Sequence, residues 1–589
     1  MCKSLSTSRA VRESWDASGS SGSTLAGSSR VYDRGVSMET AERYLSRPAV
    51  RRAVFGLLTA IFLAQGLYYS RVLVLVEDEA GYLALGSMAL TGQISLYEDD
   101  IPNGRMPLPY YVLGASQLVS GPSVWAGRLV SLGVGVLVLW LTINVATELR
   151  GRTCGVLAGL VLAAHGDVIG IFSVASYHSL SALVLVGVLR LFLGSTSPTR
   201  NVIGAAATSL IFLTRTTIVP AVVFFAAVAL ARARTWKERL LVVVATVFVP
   251  SIFFLADHRH LKILSAVPIF DRLAAAFGYH SQFFFTSLIF DAVFTPSFSE
   301  QLWFIARIGR RYEAWVFAGC VLAALHGWAL WRRAPVPNAV GGNLRLVSGL
   351  FVYMVALLFV IFRSNIIWVI GFLPELAPLV AVLLAAGFSQ AALMIERNRV
   401  ARAVAVVGFA GTLVIMIAFV RNPLLPVPAP RLFVDDPLAR LNIEAVSLRE
   451  MIAPRSEVFL MGVSAPLYLA GRMPYLRQVL TPFTMVVDDR DGSAVAKSGL
   501  WGADQMERWL SAGAEFAVIQ WPLFRQESAH WLVFEARLDR LLAAHFCALG
   551  VVGNYEVYRR RVAPVTSERT DGGEVGVRAT PPERGPTRC

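Results

Sequence analysis

The chain has 589 residues, of which 55% are hydrophobic and only 16% charged, whereas ordinary globular domains carry about a quarter charged residues. Its net charge of +14 needs no nucleic acid: no basic stripe with interleaved aromatics is present, and much of the excess lies in loops and tails able to meet anionic lipid. The five cysteines, Cys2, Cys154, Cys320, Cys547 and Cys589, have neither metal-ligand spacing nor the look of a disulfide framework, and read as small buried apolar residues.

Residues 1–48 are rich in Ser, Gly and Arg without apolar periodicity, and read as a disordered cytoplasmic tail with no signal-peptide stretch. Eleven apolar runs follow, at roughly 53–76, 125–147, 154–172, 177–194, 200–214, 216–232, 239–256, 313–331, 345–362, 366–389 and 402–421. Most are long enough to cross a hydrocarbon core of about 30 Å. With the N-terminus inside, the inner loops at 148–153, 195–200, 232–239, 331–345 and 390–402 all contain Arg or Lys, as the positive-inside rule expects. The fold class is therefore a polytopic α-helical membrane protein, with a transmembrane domain over 49–422 and outer loops at 77–124 and 257–312.

Directly after the first run stands an acidic cluster, Glu77, Asp78 and Glu79, with Tyr82 one turn on, in VLVEDEAGYLALG. Carboxylates at a membrane boundary are costly to desolvate, so they favour a polar cavity over lipid. The same cluster would also serve as a solvated cap on a helix beginning near Ala80. Asp99 and Asp100 lie further along the loop, beside the turn-forming Pro102-Asn103-Gly104. His165, Asp167 and His178 fall within or near the third and fourth spans, where they line a cavity or pack between helices.

In the second outer loop, His258 and His260 form a His-x-His pair without matched carboxylates. This is a weak metal signal, and headgroup or phosphate contact is the better reading. No metal site is assigned. After Pro423 the proline-rich PLLPVPAPRLFVDDP leads into a soluble domain at 423–563, with strand-like runs at Glu457–Gly462 and Phe516–Gln520. Helical spacing covers Ala503–Ser511 and Leu532–His545, and a Gly553-Asn554 turn enters a closing strand, YEVYRR. Together these make a small α/β domain on the outer face, and 564–589 reads as a disordered tail.

Several of these pieces, in this order, resemble the GT-C superfamily of membrane glycosyltransferases, in the branch similar to bacterial protein O-mannosyltransferases and the aminoarabinose transferase of lipid A. An acidic pair and tyrosine after the first span is similar to Asp78, Glu79 and Tyr82. The family's Lys-Pro-Pro-Leu-Tyr-Tyr stretch resembles Arg105 to Tyr111, which includes Tyr110, although Arg105-Met106 stands where the family has Lys-Pro. Ala126-Gly127-Arg128-Leu129, Thr214-Arg215, Pro466-Leu467-Tyr468 and Tyr555 to Arg559 complete the likeness.

The resemblance implies an inverting transfer of a sugar from a polyprenyl-phosphate donor to a hydroxyl of a protein, lipid or glycan acceptor, on the outer face of the cytoplasmic membrane. It needs no cofactor, although some GT-C relatives use a divalent ion. Asp78 is the expected general base, with Glu79 orienting the acceptor or raising the pKa of its neighbour. Asp99 and Asp100 offer a second acidic contact. Arg105, Arg128, Arg215 and Arg363 are candidates for the departing phosphate, because a guanidinium fork binds two oxygens at once; snorkelling to lipid headgroups is the plain alternative for them. A transporter of a lipid-linked sugar and a non-catalytic envelope scaffold are the rival functions.

Overall fold

The computed structural model describes residues 38–73, 77–98, 101, 106–194, 197–215, 218–257, 259–262, 275–276, 338–361, 366–395, 437–480, 484–487, 492–497, 499–520 and 529–561. The spans expected at 313–331 and 402–421, both tails and most of the second outer loop lie outside these residues.

A short helix α1 (Met38–Ser46) precedes a bundle made of α2 (Pro48–Val72), α3 (Glu77–Leu90), α4 (Pro107–Ser120), α5 (Val124–Arg150), α6 (Arg152–Ala164), α7 (Gly166–Phe172), α8 (His178–Phe192), α9 (Pro198–Thr214), α10 (Pro220–Arg232), α11 (Trp236–Ala256), α12 (Asn338–Ile361) and α13 (Ile366–Ile395). The starts are written in the sequence. Proline opens α2, α4, α9 and α10, where its missing N–H costs nothing. Ser123, Ser197 and Thr235 cap α5, α9 and α11 by accepting from the backbone N–H three residues on.

Among the described residues, α2, α5 and α11 are long and apolar enough to cross a membrane, and α6 with α7, bent by 75° at His165, would make a fourth span. The expected eleven therefore include helices too short for that test. Helix α11 turns Leu240, Leu241, Val244, Val247, Phe248 and Ile252 outward, which suits a peripheral position against lipid.

The segment 77–124, expected as a loop, instead contains α3 and α4 packed on each other. Their closeness has a backbone cause: a Cβ on Gly86 would sit 2.1 Å from the Tyr110 carbonyl oxygen, and one on Gly114 would sit 2.2 Å from the Gly86 carbonyl carbon. Each helix has only 14 residues, too short to stand out as an apolar run.

Helix α8 has 15 residues and α10 has 13, so they rise only about 22 and 20 Å, less than a core of about 30 Å. The start of α8, the end of α9 and the start of α10 fall at one end of the bundle. Two short helices, α8 and α10, begin at that end, the shortened end of the bundle.

The C-terminal unit begins with α14 (Pro437–Met451) and contains β1 (Val458–Met461), α15 (Ala465–Leu469), α16 (Ala503–Arg508), β2 (Phe516–Gln520), α17 (Ala529–His545), β3 (Phe546–Val552) and β4 (Tyr555–Arg560). The sheet order is β1-β2-β4-β3, with β1 parallel to β2 and the other pairs antiparallel. Strands stand where the apolar runs predicted them, and β3 is an addition: it follows α17 with no turn residues between, so nothing in the sequence marks its start. The unit rests on α3 and α4: Tyr468 Oη donates to Gln117 Oε1 at 3.0 Å, and Leu480 lies so close to Gly81 that an added Cβ would meet its Cδ2 at 2.0 Å.

Gly114→Ala is expected to force α3 and α4 apart and cost about 1–3 kcal/mol, read as a lower midpoint in thermal unfolding of the purified protein. At the other end of the bundle, Glu42 of α1 caps α6: Oε1 accepts from Arg152 N and Oε2 from Thr153 N and Oγ1, at 2.9–3.0 Å. Partial burial raises its pKa, but these donors outweigh it and hold the carboxyl below its ordinary 4.5. A depressed folded pKa gives stability that is present above the unfolded value and lost as pH falls through the folded one. Hydrogen-exchange protection of the Arg152 and Thr153 amides should therefore fall on acidification below the ordinary value, and Glu42→Gln should remove that pH dependence.

Candidate functional site

At the shortened end of the bundle, Arg128 and Glu79 are both fully buried. Arg128 Nε and Nη2 donate to the two Glu79 oxygens at 2.9 and 2.7 Å, and Nη1 donates to the Ser70 and Leu73 carbonyls at 2.8 and 3.0 Å. Those carbonyls belong to the last turn of α2, where oxygens lack partners within the helix and the dipole favours a cation. Glu79 Oε1 also accepts from Ala175 N at 2.6 Å. One ion pair thus ties the end of α2, the start of α3, the first turns of α5 and the corner between α7 and α8. Sequence reasoning offered both residues to substrate; the geometry gives them to each other and to backbone.

Asp78 precedes Glu79 on α3 and is half-buried. Tyr82, four residues on, shares its helix face. The Tyr82 ring lies 4.7 Å from Tyr110 of α4 and 6.0 Å from Tyr177, between centroids. Tyr177 in turn carries the Arg215 guanidinium 3.6 Å from its ring centroid, a cation–π contact worth about 2 kcal/mol where water is excluded. Tyr82 and Arg215, two of the residues singled out in the sequence, therefore meet a tyrosine that was not, and Tyr110 packs on Tyr82 behind it.

Glu375 of α13 was also missed. It is fully buried in an apolar helix that carries Pro374 and Pro378 beside it. Neither oxygen has a hydrogen-bonding partner among the described residues, and His178 Nδ1 lies 3.3 Å from Oε1. A carboxylate alone in an apolar span is the signal that could have found it. His178, read as lining a cavity or packing between helices, sets its ring against Tyr177 with centroids 4.1 Å apart and planes 40° from parallel.

The segment 257–312, expected as the second outer loop, is described at 257, 259–262 and 275–276. His260 stacks on Phe253 at 4.1 Å and meets Tyr97 at 4.6 Å, with Nδ1 at the Phe253 carbonyl, so it sits among aromatics at the end of α11. Arg259 pairs with Asp257 at 2.6 Å, and hydrogen bonding to Arg259 holds the Asp257 carboxyl down at about 2. Lys262, buried, donates to the Glu98 carbonyl at 2.7 Å, tying this turn to the loop after α3. Asp99, Asp100, Arg105, His258 and Arg363 lie outside the described residues. Among the described residues no group of three or more His, Cys, Asp or Glu is placed to hold a metal ion.

No family model matches this sequence, and no curated protein matches it. The fold, however, is shared with solved structures. ArnT from Cupriavidus metallidurans bound to undecaprenyl phosphate is similar over 85% of this chain and 97% of its own, with a TM-score of 0.50 and 15% identity. The oligosaccharyltransferase AglB from Archaeoglobus fulgidus, in complex with an inhibitory peptide and a dolichol-phosphate, is similar over 87% of this chain and 75% of its own, with a TM-score of 0.50 and 12% identity. The chain has the GT-C membrane fold.

Removing one partner of the buried pair should be costly, because the other charge is left without compensation. Arg128→Ala is expected to cost about 3–5 kcal/mol, and joint replacement by apolar residues, Glu79→Leu with Arg128→Met, should recover part of that loss. Chemical denaturation of the purified variants in detergent checks both.

Proposed function

We propose that this protein is an inverting glycosyltransferase that moves a sugar from a polyprenyl-phosphate donor to an acceptor hydroxyl at the outer face of the cytoplasmic membrane. The observation that carries the reading is a chain of contacts in a GT-C bundle: the half-buried Asp78 shares a helix face with Tyr82, whose ring meets Tyr177, and Tyr177 carries the Arg215 guanidinium. ArnT and AglB, which share the fold, were solved with undecaprenyl phosphate and with a dolichol-phosphate, and that supports a lipid phosphate as the donor's anchor.

In this reading the acceptor oxygen attacks the anomeric carbon, and its proton passes to the Asp78 carboxylate. The bond from that carbon to the phosphate oxygen breaks, and the electron pair leaves with the polyprenyl phosphate. Arg215 compensates the charge that develops there. Arg105 and Arg363 are proposed as further phosphate contacts, Asp99 and Asp100 as acceptor contacts, and His258 and His260 as contacts to lipid headgroups. Glu79 and Arg128 act through position, by fixing the start of α3. Glu375, fully buried with only His178 Nδ1 beside it, is assigned to hydroxyl groups of the donor sugar, because a buried carboxylate is stabilised when further hydrogen-bond donors reach it. The scheme uses no cofactor, and the family resemblance leaves room for a divalent ion.

A second reading, a transporter of the lipid-linked sugar, is favoured by one feature: the α6–α7 break and the proline-flanked Glu375 resemble the interrupted helices that hold ligands in transporters. Reconstituted vesicles loaded with native polyprenyl-phosphate sugars separate the two. Asp78→Asn should lower transfer by about 10²–10⁴-fold while donor binding persists, and Glu375→Gln should weaken donor binding. Sugar movement across vesicles that is unaffected by Asp78→Asn, with no transfer by the wild type, would overturn the enzyme reading.

A further inference from the structure

The C-terminal unit contains a cavity of about 540 Å³, lined by Arg455, Glu457, Arg472, Tyr475, Arg477 and Trp509 among others. That volume is in the range of small-ligand sites. None of the chemistry assigned above uses it.

One wall is aromatic and rigid. Tyr475 and Trp509 stack with centroids 4.5 Å apart and planes 9° from parallel, and Trp509 backs onto Trp501 and Phe459 of the buried core. The backbone around Trp509 is pinned by Arg560 of β4, whose guanidinium donates to the Trp509, Leu510, Ser511 and Ala514 carbonyls at 2.6–3.3 Å. Flat aromatic faces of this kind suit the apolar C–H faces of pyranose rings, whose hydroxyl edges then point to polar side chains.

The polar lining is mainly basic, with three arginines against one glutamate. Arg472 is fully engaged with backbone carbonyls of Arg449, Ile452, Ala470 and Gly471, so it shapes the wall. Arg477 Nη1 donates to the Leu500 carbonyl at 3.0 Å, which fixes its orientation. Arg455 is exposed at the rim and is the one described non-glycine residue with positive φ, at 64°. An arginine held in the left-handed region is a strained choice where glycine would be easy, and such strain concentrates at ligand sites.

Position adds a second argument. The cavity-lining run from Gly471 to Arg477 leads within three residues to Leu480, which lodges on Gly81 of α3. Gly81 lies between Asp78 and Tyr82, so the cavity is joined to the candidate active helix by a short, packed connection.

We infer that this cavity binds an anionic saccharide, with the Tyr475–Trp509 wall taking a ring face and Arg455 at the rim taking a carboxylate or phosphate. Naming that saccharide as the acceptor rests on the glycosyl-transfer reading; the binding itself does not.

The test uses the full chain in detergent, without donor, with tetragalacturonate as the charged probe and cellotetraose as the neutral one, read by saturation-transfer NMR and calorimetry. The wild type should bind the charged probe at least about tenfold more tightly than the neutral one. Arg455→Gly relieves the strained backbone, so it should fold normally yet lose most of that preference. Tyr475→Ala should weaken both probes, and Asp78→Asn should bind both as the wild type does, even if transfer proves not to depend on Asp78. No binding of either probe, equal binding of the two, or an unchanged preference in a folded Arg455→Gly protein would overturn the inference.

Discussion

The site depends on one buried ion pair. Taking Glu79 and Arg128 out of water costs several kcal/mol per ion, and the arrangement offsets that cost through five strong hydrogen bonds: two parallel bonds between the pair, two from Arg128 to carbonyls at the end of α2, and one to Glu79 from the backbone of Ala175. Such a pair tolerates little displacement. It therefore fixes the start of α3, and with it the neighbouring Asp78 and Tyr82, against the corner that carries Tyr177 and His178.

The rest of the architecture extends that constraint outward. Close backbone contact at Gly86 and Gly114 sets α4 and its Tyr110 against α3. Short α8, α9 and α10 bring Tyr177, His178 and Arg215 to the same end. The C-terminal unit then closes on α3 and α4 through Tyr468 on Gln117 and Leu480 on Gly81. A change in that unit has a direct packing route to Asp78, and no long-range conformational change is needed to connect the two.

Much of this was legible in the residues. Composition and apolar length identified a membrane bundle, and the order of short motifs pointed to the GT-C fold. Asp78, Tyr82, Tyr110 and Arg215 were singled out by their likeness to the family's motifs, with the acidic cluster at the end of the first apolar run and Arg215 between two others. What could not be read was who meets whom. Glu79 and Arg128 are 49 residues apart, and only tertiary packing reveals that each consumes the other. Glu375 was lost because one carboxylate barely changes the hydropathy of a 30-residue helix, and Tyr177 because it was counted as the first residue of the apolar run at 177–194. The helices α3 and α4 were read as loop because 14-residue segments joined by polar turns lack the length that marks a span.

The account stands or falls on whether the end of the bundle organised by Glu79 and Arg128 receives the lipid phosphate. A cryo-electron microscopy structure of the chain in nanodiscs with undecaprenyl phosphate tests this directly. The account predicts phosphate density within hydrogen-bonding distance of Arg215, with Asp78 facing it across Tyr177 and the Glu79–Arg128 pair intact. Phosphate bound at the opposite end of the bundle, or an Asp78 side chain turned away from the lipid head, would contradict it.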